Sequence, residues 1–524
     1  MRSATRAFLL HRLAQCTDGA LSMCVLLALI ACGSNTNPAA IPTSSPNTAN
    51  NVLTQAEVDS IVTATAASVN VPLVIAVSDR RGQILAVYTK ANAPGTALAN
   101  FSVPQPAYQV AAALARAAAY FSDDQAPVST RTVRFLSGDN FPPGSVNSEA
   151  GGLYGIENTN RGCSLNTTYL PGQSIPLPTL LGSTSPGLGI ITGKVDLLDS
   201  DPMAVNPGGV PIFKNGRVAG GVGVVAAPAL ANYNAAVEYA AVAGTIDNGF
   251  APVVPSPGVV VVNGVTLPFV QQTTLPPGLS AGAADGAYTL GPVAGSGAAP
   301  EGDLITEQAG GPGGLTLAQV QQIVSNAEST GAATRSALRL PVGSRASFVI
   351  AVADLDGNLL ALYSMPDATT FSVDVAVAKS RNVVYFSGTP NPSDLPGVPP
   401  GTAVTTRAIG FAAQPFYPSG INGTQPGPFY PLYTNDVANP CTQGSQPTNA
   451  NQNGIAFFPG GVPLYLNGKL VGGLGVSGDG ADEDDYTAAG GAQGFEAPDN
   501  IRADQIVLLG VRLPYQSFPA NPTQ

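Results

Sequence analysis

The chain carries one hairpin-forming sequence twice, as VIAVSDRRGQILAVY at residues 74–88 and as VIAVADLDGNLLALY at residues 349–363. Nine of the fifteen positions are identical. In both stretches a hydrophobic run is followed by a turn with Asp first and Gly last, and then by a second hydrophobic run. This pattern is typical of a β-hairpin. The sequence therefore predicts a duplicated fold with an antiparallel hairpin in each half.

A second pair of blocks repeats in the same order. Residues 208–226 read GGVPIFKNGRVAGGVGVVA and residues 460–478 read GGVPLYLNGKLVGGLGVSG, with ten of nineteen positions identical. Each block contains Asn-Gly, which favours the tight type I′ turn of a hairpin. Because both pairs of blocks follow one order, we interpret the chain as a tandem duplication.

Helices are predicted around these hairpins. Thr-x-x-Glu at 54–57 and Thr-x-x-Gln at 316–319 are capping boxes, which open an amphipathic helix in each copy. A second helix and a closing strand are predicted in each copy, at 107–121 and 265–269 in the first and at 372–386 and 511–515 in the second. Strands paired by hairpins, with helices packed on them, make the predicted class α+β.

The repeats and the shifts in composition divide the chain. The Gly/Ala/Pro-rich segment between the copies is predicted to be a linker. Long loops rich in Gly, Pro, Asn and Ser are predicted at 123–207 and 388–459. The predicted segments are a signal peptide (1–31), a flexible tether (32–52), copy 1 (53–270), the linker (271–314), copy 2 (315–516) and a C-terminal tail (517–524).

The N-terminus is predicted to be an export signal. Three arginines precede a short apolar run that is too short to span a bilayer as a permanent helix. The run ends in Leu-Ile-Ala-Cys at 29–32, which resembles the lipobox of bacterial lipoproteins. That resemblance implies cleavage before Cys32 and its lipidation. We therefore expect a cell-envelope protein, anchored by this lipid alone on the periplasmic side or at the outer membrane.

Composition excludes several classes of function. Charged residues make up 10% of the chain and the net charge is −11, so there is no basic surface for nucleic acid. The one histidine, His11, lies in the predicted signal, which excludes Ser-His-Asp catalysis and histidine-ligated metals from the mature protein. No metal site is predicted. Cys163 and Cys441 remain after processing, and a disulfide between them is left open.

The repeated blocks resemble the GlcG/HbpS-like family of haem-binding, also called haem-degrading, domains. Copy 2 carries four features of that family in order, namely the first hairpin, an alanine-rich helix with Lys379, the Gly-rich second hairpin and an acidic helix start at 482–485. The resemblance implies an antiparallel sheet of about five strands flanked by helices. It also implies homo-oligomers, or an intrachain pseudo-dimer of the two copies, and binding of haem or a related small molecule.

Copy 1 departs from the family pattern and is interpreted as a degenerate copy. Leu114 aligns with Lys379, and Val225-Ala226 replaces Ser477-Gly478. A ligand is therefore expected at copy 2. Haem without histidine needs another axial ligand, such as Tyr or Met. The candidate cofactor-binding residues are Lys379, Tyr363, Met365, Gly473, Gly475, Ser477 and Gly478.

The leading hypothesis is an exported, lipid-anchored protein that binds a small molecule, with haem as the candidate cofactor. A second hypothesis is a structural or interaction module that has lost its ligand site. A third is an enzyme of haem breakdown or small-acid metabolism, for which no catalytic residue is predicted because no nucleophile–base pair is present. Local sequence does not decide among these hypotheses.

Overall fold

The computed structural model describes residues 51–167, 188–253, 260–295, 299–390 and 392–524. These residues belong to one compact unit, Asn47–Gln524, which contains both copies. The predicted signal peptide, Cys32 and most of the tether lie outside the described residues. No helix in the described ranges is long and apolar enough to cross a membrane.

Copy 1 and the segment after it contain four helices and nine strands in the described residues. In chain order these are α1 (Gln55–Ser68), β1 (Val74–Asp79), β2 (Ile84–Thr89), β3 (Thr96–Leu98), β4 (Pro104–Pro106), α2 (Ala107–Phe121), α3 (Thr130–Leu136), β5 (Gly209–Lys214), β6 (Arg217–Val225), α4 (Tyr233–Gly244), β7 (Val260–Val262), β8 (Val265–Leu267) and β9 (Ala287–Leu290).

Copy 2 follows the same plan. Its elements are β10 (Gly302–Ile305), α5 (Leu317–Ala333), β11 (Phe348–Ala353), β12 (Leu359–Ser364), α6 (Ser372–Ser387), α7 (Thr406–Ala412), α8 (Tyr430–Ala438), β13 (Gly461–Leu466), β14 (Lys469–Gly478), α9 (Ala481–Gly491), β15 (Val507–Leu508) and β16 (Val511–Arg512).

Each copy has one five-stranded sheet in which every described pairing is antiparallel. The strand order is β5-β6-β1-β2-β9 in copy 1 and β10-β12-β11-β14-β13 in copy 2. The predicted α+β class, both pairs of hairpins and both capping boxes are confirmed. Asn215-Gly216 and Asn467-Gly468 have positive φ at both positions, as a type I′ turn requires.

Helices cover both faces of each sheet. In β1, Ile75 and Val77 belong to a core that includes α1 and α4, whereas Val74 and Ala76 belong to the core under α2. All six residues of β1 are therefore buried. This double burial explains why the repeated hairpins read as continuous hydrophobic runs, without the alternation of a strand that has one face in water.

The glycines of the second hairpin let a helix lie directly on the sheet. A Cβ at Gly473 would come within 2.2 Å of the Ser380 carbonyl oxygen, and one at Gly475 within 2.0 Å of the Ala376 carbonyl oxygen. Gly221 and Gly223 stand against α2 in the same way. Since any side chain would collide with helix backbone, this glycine pattern serves packing in both copies.

Two sequence predictions change at the edges of the sheets. The predicted linker 271–314 supplies β9 to the sheet of copy 1 and β10 to the sheet of copy 2. The predicted closing strands do not join the main sheets, because 265–267 and 511–512 pair in separate two-stranded ribbons. Edge pairing depends on which backbone remains free in the folded sheet, and short segments carry little local signal for it.

A disulfide joins the long loops of the two copies. Cys163 and Cys441 are bonded, with Cα atoms 5.3 Å apart and 278 residues apart in sequence. The question that the sequence left open is thus decided by the tertiary structure, because a disulfide needs closely placed Cα atoms.

Candidate functional site

A cavity of about 510 Å³ lies between the two copies. Copy 1 contributes the loop segment 149–154, and copy 2 contributes α7, the segment 457–459 and the junction of β14 with α9. The cavity has an aromatic wall formed by Phe121, Phe141, Tyr154, Phe371, Phe411, Phe457 and Phe458. Phe121 of copy 1 stacks on Phe371 of copy 2 with ring centroids 4.2 Å apart. The wall is therefore apolar and is built from both copies.

Among the described residues of this lining, Arg407 is the one cationic side chain, and it is already paired with carboxylates. Its guanidinium forms ion pairs with Asp482 and Asp485. Asp485 also accepts hydrogen bonds from the backbone N–H groups of Gly460 at 2.8 Å and Ser517 at 3.1 Å. These contacts fix Arg407 against α9 and leave it little capacity to attract an anion.

Lys379 lies behind this surface in a buried ion pair. Its Nζ donates to Asp484 Oδ2 at 2.7 Å and to the Val476 carbonyl oxygen at 2.8 Å, and it sits 4.9 Å from the centre of the Phe458 ring. Lys379 is fully buried. The structure thus places Lys379, a candidate cofactor-binding residue, in an internal pair with Asp484, which lines the cavity.

Two residues of the cavity lining have buried polar atoms that the described residues do not satisfy. Ser477 and Asp484 both line the cavity, and Ser477 Oγ and Asp484 Oδ1 are buried without a hydrogen-bond partner in the described residues. Burial raises the pKa of Asp484 to about 7, although Lys379 acts in the opposite direction. Buried polar atoms without partners are uncommon in folded proteins, because each costs free energy. Both atoms belong to residues of the cavity lining, next to the buried Lys379–Asp484 pair.

The other predicted site residues divide into two groups. Gly478 lines the cavity beside Ser477, whereas Gly473 and Gly475 pack against α6. Tyr363 and Met365 are not in the cavity lining. The Tyr363 hydroxyl donates to Glu328 Oε1 at 2.9 Å, and Met365 is buried in the core with α5. Both side chains therefore make their contacts outside the cavity.

Helix α7 and Arg407 are not among the sequence predictions. The signal was present, because STRTVRF at 129–135 repeats as TTRAIGF at 405–411, with Thr, Arg and Phe at matching positions. The first residue of each block caps a short helix, α3 or α7. Both copies of the block lie inside the predicted loops, 123–207 and 388–459, so no helix is predicted there.

Comparison with known protein families gives a match within copy 2. Residues 315–493 match a family model described as "Haem degrading protein HbpS-like". No curated protein matches the chain. Three crystal structures are similar to part of it. They are a PduOC–heme complex (19% identity, 35% of this chain and 97% of that chain, TM-score 0.24), the protein ORFY of Klebsiella pneumoniae (20%, 37% and 99%, 0.24) and a double mutant of HbpS from Streptomyces reticuli (20%, 37% and 96%, 0.21).

The matched residues begin just before α5 and end just after α9. They include four strands of the copy 2 sheet. They also include the residues from α7 to α9 that line the copy 2 side of the cavity. The family resemblance recognised from the hairpins, the Lys379 helix and the Gly-rich block is thereby confirmed for residues 315–493, which are similar to HbpS-like proteins.

Proposed function

We propose that the protein binds a small molecule in the cavity between the copies, and that the ligand has an aromatic or apolar body and a cationic or hydrogen-bond-donating group. The observation that carries the proposal is the pair of unsatisfied atoms, Ser477 Oγ and Asp484 Oδ1. Asp484 with its raised pKa can hold a proton or accept one near neutral pH. Donor groups on the ligand would satisfy these atoms.

The charge of the lining supports a cationic group. Among the described lining residues, three carry carboxylates, namely Glu149, Asp482 and Asp484, and one, Arg407, is cationic and paired with two aspartates. The aromatic wall suits a flat body, since rings stack and attract cations over their faces. Together with their ion-pair partners Asp485 and Lys379, the lining residues carry four carboxylates against two cations, so an anionic ligand would meet a net negative surface.

Haem is the ligand that the family description suggests, and the cavity residues do not fit it. Among the described lining residues, Tyr154 is the only side chain of a type that ligates haem iron. Its hydroxyl donates to the Ala413 carbonyl oxygen at 3.3 Å, and burial raises the pKa of Tyr154 well above its ordinary value, which disfavours the phenolate. Haem propionates would also find Arg407 already paired.

The test is a pair of titrations with dyes of opposite charge. Proflavine, which is flat and cationic, should bind with a saturable fluorescence change, and haemin should not give a saturable Soret shift. Ser477→Val, which copies Val225 of copy 1, and Asp482→Asn should each weaken proflavine binding about tenfold, the effect of about 1.4 kcal/mol. Asp499→Asn, an exposed carboxylate outside the cavity, is the matched charge control. Saturable haemin binding that Ser477→Val abolishes would contradict the proposed polarity of the ligand.

We also propose that the protein is exported and acylated at Cys32. Support comes from the lipobox-like sequence and from the Cys163–Cys441 disulfide, since such bonds persist in oxidising compartments. Cys32→Ser should move the protein from the membrane fraction to the soluble exported fraction and should abolish labelling by a radioactive fatty acid. An unlabelled wild-type protein would overturn the proposal.

A further inference from the structure

Copy 1 has a cavity of its own, of about 520 Å³, at the position that corresponds to the α7–α9 side of the first cavity. Arg131 on α3 pairs with Glu238 on α4, with Nε and Oε1 2.8 Å apart, as Arg407 pairs with Asp485. The Gln271 N–H donates to Glu238 at 3.0 Å, as the Ser517 N–H donates to Asp485. Both copies therefore have the same frame, by which we mean the arginine–carboxylate pair and the backbone N–H that donates to its carboxylate.

The electrostatics of the two cavities differ. The matching contacts of Gly244 with Ile61 and of Gly491 with Ile323 align α4 with α9, which places Ala235 and Val237 where copy 2 has Asp482 and Asp484. The hydrogen-bonding capacity of the Glu238 carboxylate is also used up. It accepts hydrogen bonds from Nε and Nη2 of Arg131 and from the backbone N–H groups of Gln271 and Gln272. The charged groups of this cavity are therefore paired with one another.

The remaining lining is mostly apolar. Phe135, Val205 and Leu267 form the wall, and Met203, 58% exposed, stands at the surface. Met adapts its shape to different apolar partners. The amides of Asn234 and Gln272 add uncharged polar groups to the lining. A ligand that matches these surfaces is uncharged, mainly apolar, and carries at most a small polar group.

We propose that this cavity is a second binding site, for an uncharged apolar small molecule, so that the two copies have kept one frame and acquired different ligand preferences. This proposal does not rest on the function proposed for the cavity between the copies. It replaces the expectation that copy 1 is only a degenerate copy.

The probe is N-phenyl-1-naphthylamine, an uncharged dye whose fluorescence rises in apolar sites, titrated into the full chain. We expect saturable binding that Ala235→Trp weakens at least tenfold by filling the cavity. Ala235→Asp, which introduces the carboxylate of copy 2, should weaken it several-fold. Asp499→Asn, at an exposed carboxylate that lines neither cavity, is the control and should leave it unchanged.

Met203→Glu provides a second variant at an exposed position, where folding is not at risk, and it should also weaken binding. The thermal melting curve of each variant checks its fold. Absence of saturable binding by the wild-type protein would overturn the proposal. Binding that survives both Ala235→Trp and Met203→Glu, or that is lost in Asp499→Asn, would assign the dye to another site and would overturn it as well.

Discussion

The two copies differ in chemistry at one pair of core positions. Copy 2 buries the ion pair of Lys379 and Asp484, while the corresponding positions of copy 1 are Leu114 and Val237, both buried. The surrounding frame is the same, because Gly209 stands against the Leu114 carbonyl oxygen as Gly461 stands against that of Lys379. The fold therefore does not require the charges, and a buried ion pair is seldom retained for stability alone.

The copies also keep one charged contact in common. Arg116 in α2 donates through Nε to the Gly82 carbonyl oxygen at 2.7 Å, and Arg381 in α6 donates to that of Gly357 at 2.9 Å. Each arginine thus fastens its helix to the turn of the first hairpin. The difference between the copies at Lys379 affects the cavity through its partner Asp484, which lines it. The arginines that both copies share stabilise the fold.

The largest expected effect comes from separating the copies. Arg80 of copy 1 pairs with Asp367 at 2.9 Å, and Arg339 of copy 2 pairs with Asp123 at 3.5 Å. A fragment of residues 299–524 would lose these partners and expose the aromatic wall. We expect it to show no cooperative thermal transition on its own, and to regain one when mixed with residues 51–295. A sharp transition of the fragment alone, at the temperature of the intact chain, would show that copy 2 is independent.

The next largest effect concerns the ion pair. Asp484→Ala leaves the Lys379 ammonium buried without its carboxylate and should lower the free energy of unfolding by about 3–5 kcal/mol in urea titrations. The double variant Lys379→Leu with Asp484→Val, which copies copy 1, should lie within about 1 kcal/mol of the wild type. Equal losses in the single and double variants would mean that the charges contribute nothing specific.

The disulfide between the copies should have a smaller effect. Cys163→Ser with Cys441→Ser removes a link across 278 residues and should lower the free energy of unfolding by about 2–4 kcal/mol. Wild-type protein in reducing buffer serves as the control and should show the same loss. The prediction fails if reduction leaves the urea midpoint of the wild-type protein unchanged.

The smallest effect is a pH dependence at Asp374 of copy 2, a position at which copy 1 has no titratable group. Burial raises the pKa of Asp374 to about 7, with Asn160 and Arg116 acting against the rise. Copy 1 has the uncharged Gln109 at the aligned position. The folded state therefore holds a proton that the unfolded state has lost between pH 4 and pH 7. The stability contribution of Asp374 is complete below the unfolded pKa and disappears as the pH rises through the folded one.

Asp374→Asn removes this proton uptake. The free energy of unfolding of the wild type minus that of the variant should fall between pH 5 and pH 6 by at most about 1.4 kcal/mol, the value of one proton over one pH unit. Gln109→Glu in copy 1 is the reciprocal variant and should introduce a dependence of the same sign. A difference that is constant with pH would show that Asp374 stays ionised.

Only part of the cavity lining could be predicted from the sequence, because comparison of the copies identifies some residues and the others depend on contacts between distant segments. Ser477 and Gly478 were identified because they differ between the copies, and both line the cavity. Tyr363 and Met365 are predicted only from the ability of Tyr and Met to ligate haem iron. In the structure both contact α5 and neither lines the cavity. Arg407 and Asp485 were not chosen, because the importance of each depends on a partner 78 residues away.

The sequence by itself determined the duplication, the two pairs of hairpins, the helix caps and the family of copy 2, because these depend on short-range periodicity, turn chemistry and internal repetition. Only the tertiary structure decided that Lys379 is buried against a residue 105 positions away, that the linker completes both sheets, that Cys163 meets Cys441 and that a cavity opens between the copies. Each of these depends on distances between segments that are remote in the chain, and no local pattern of residue types specifies such distances.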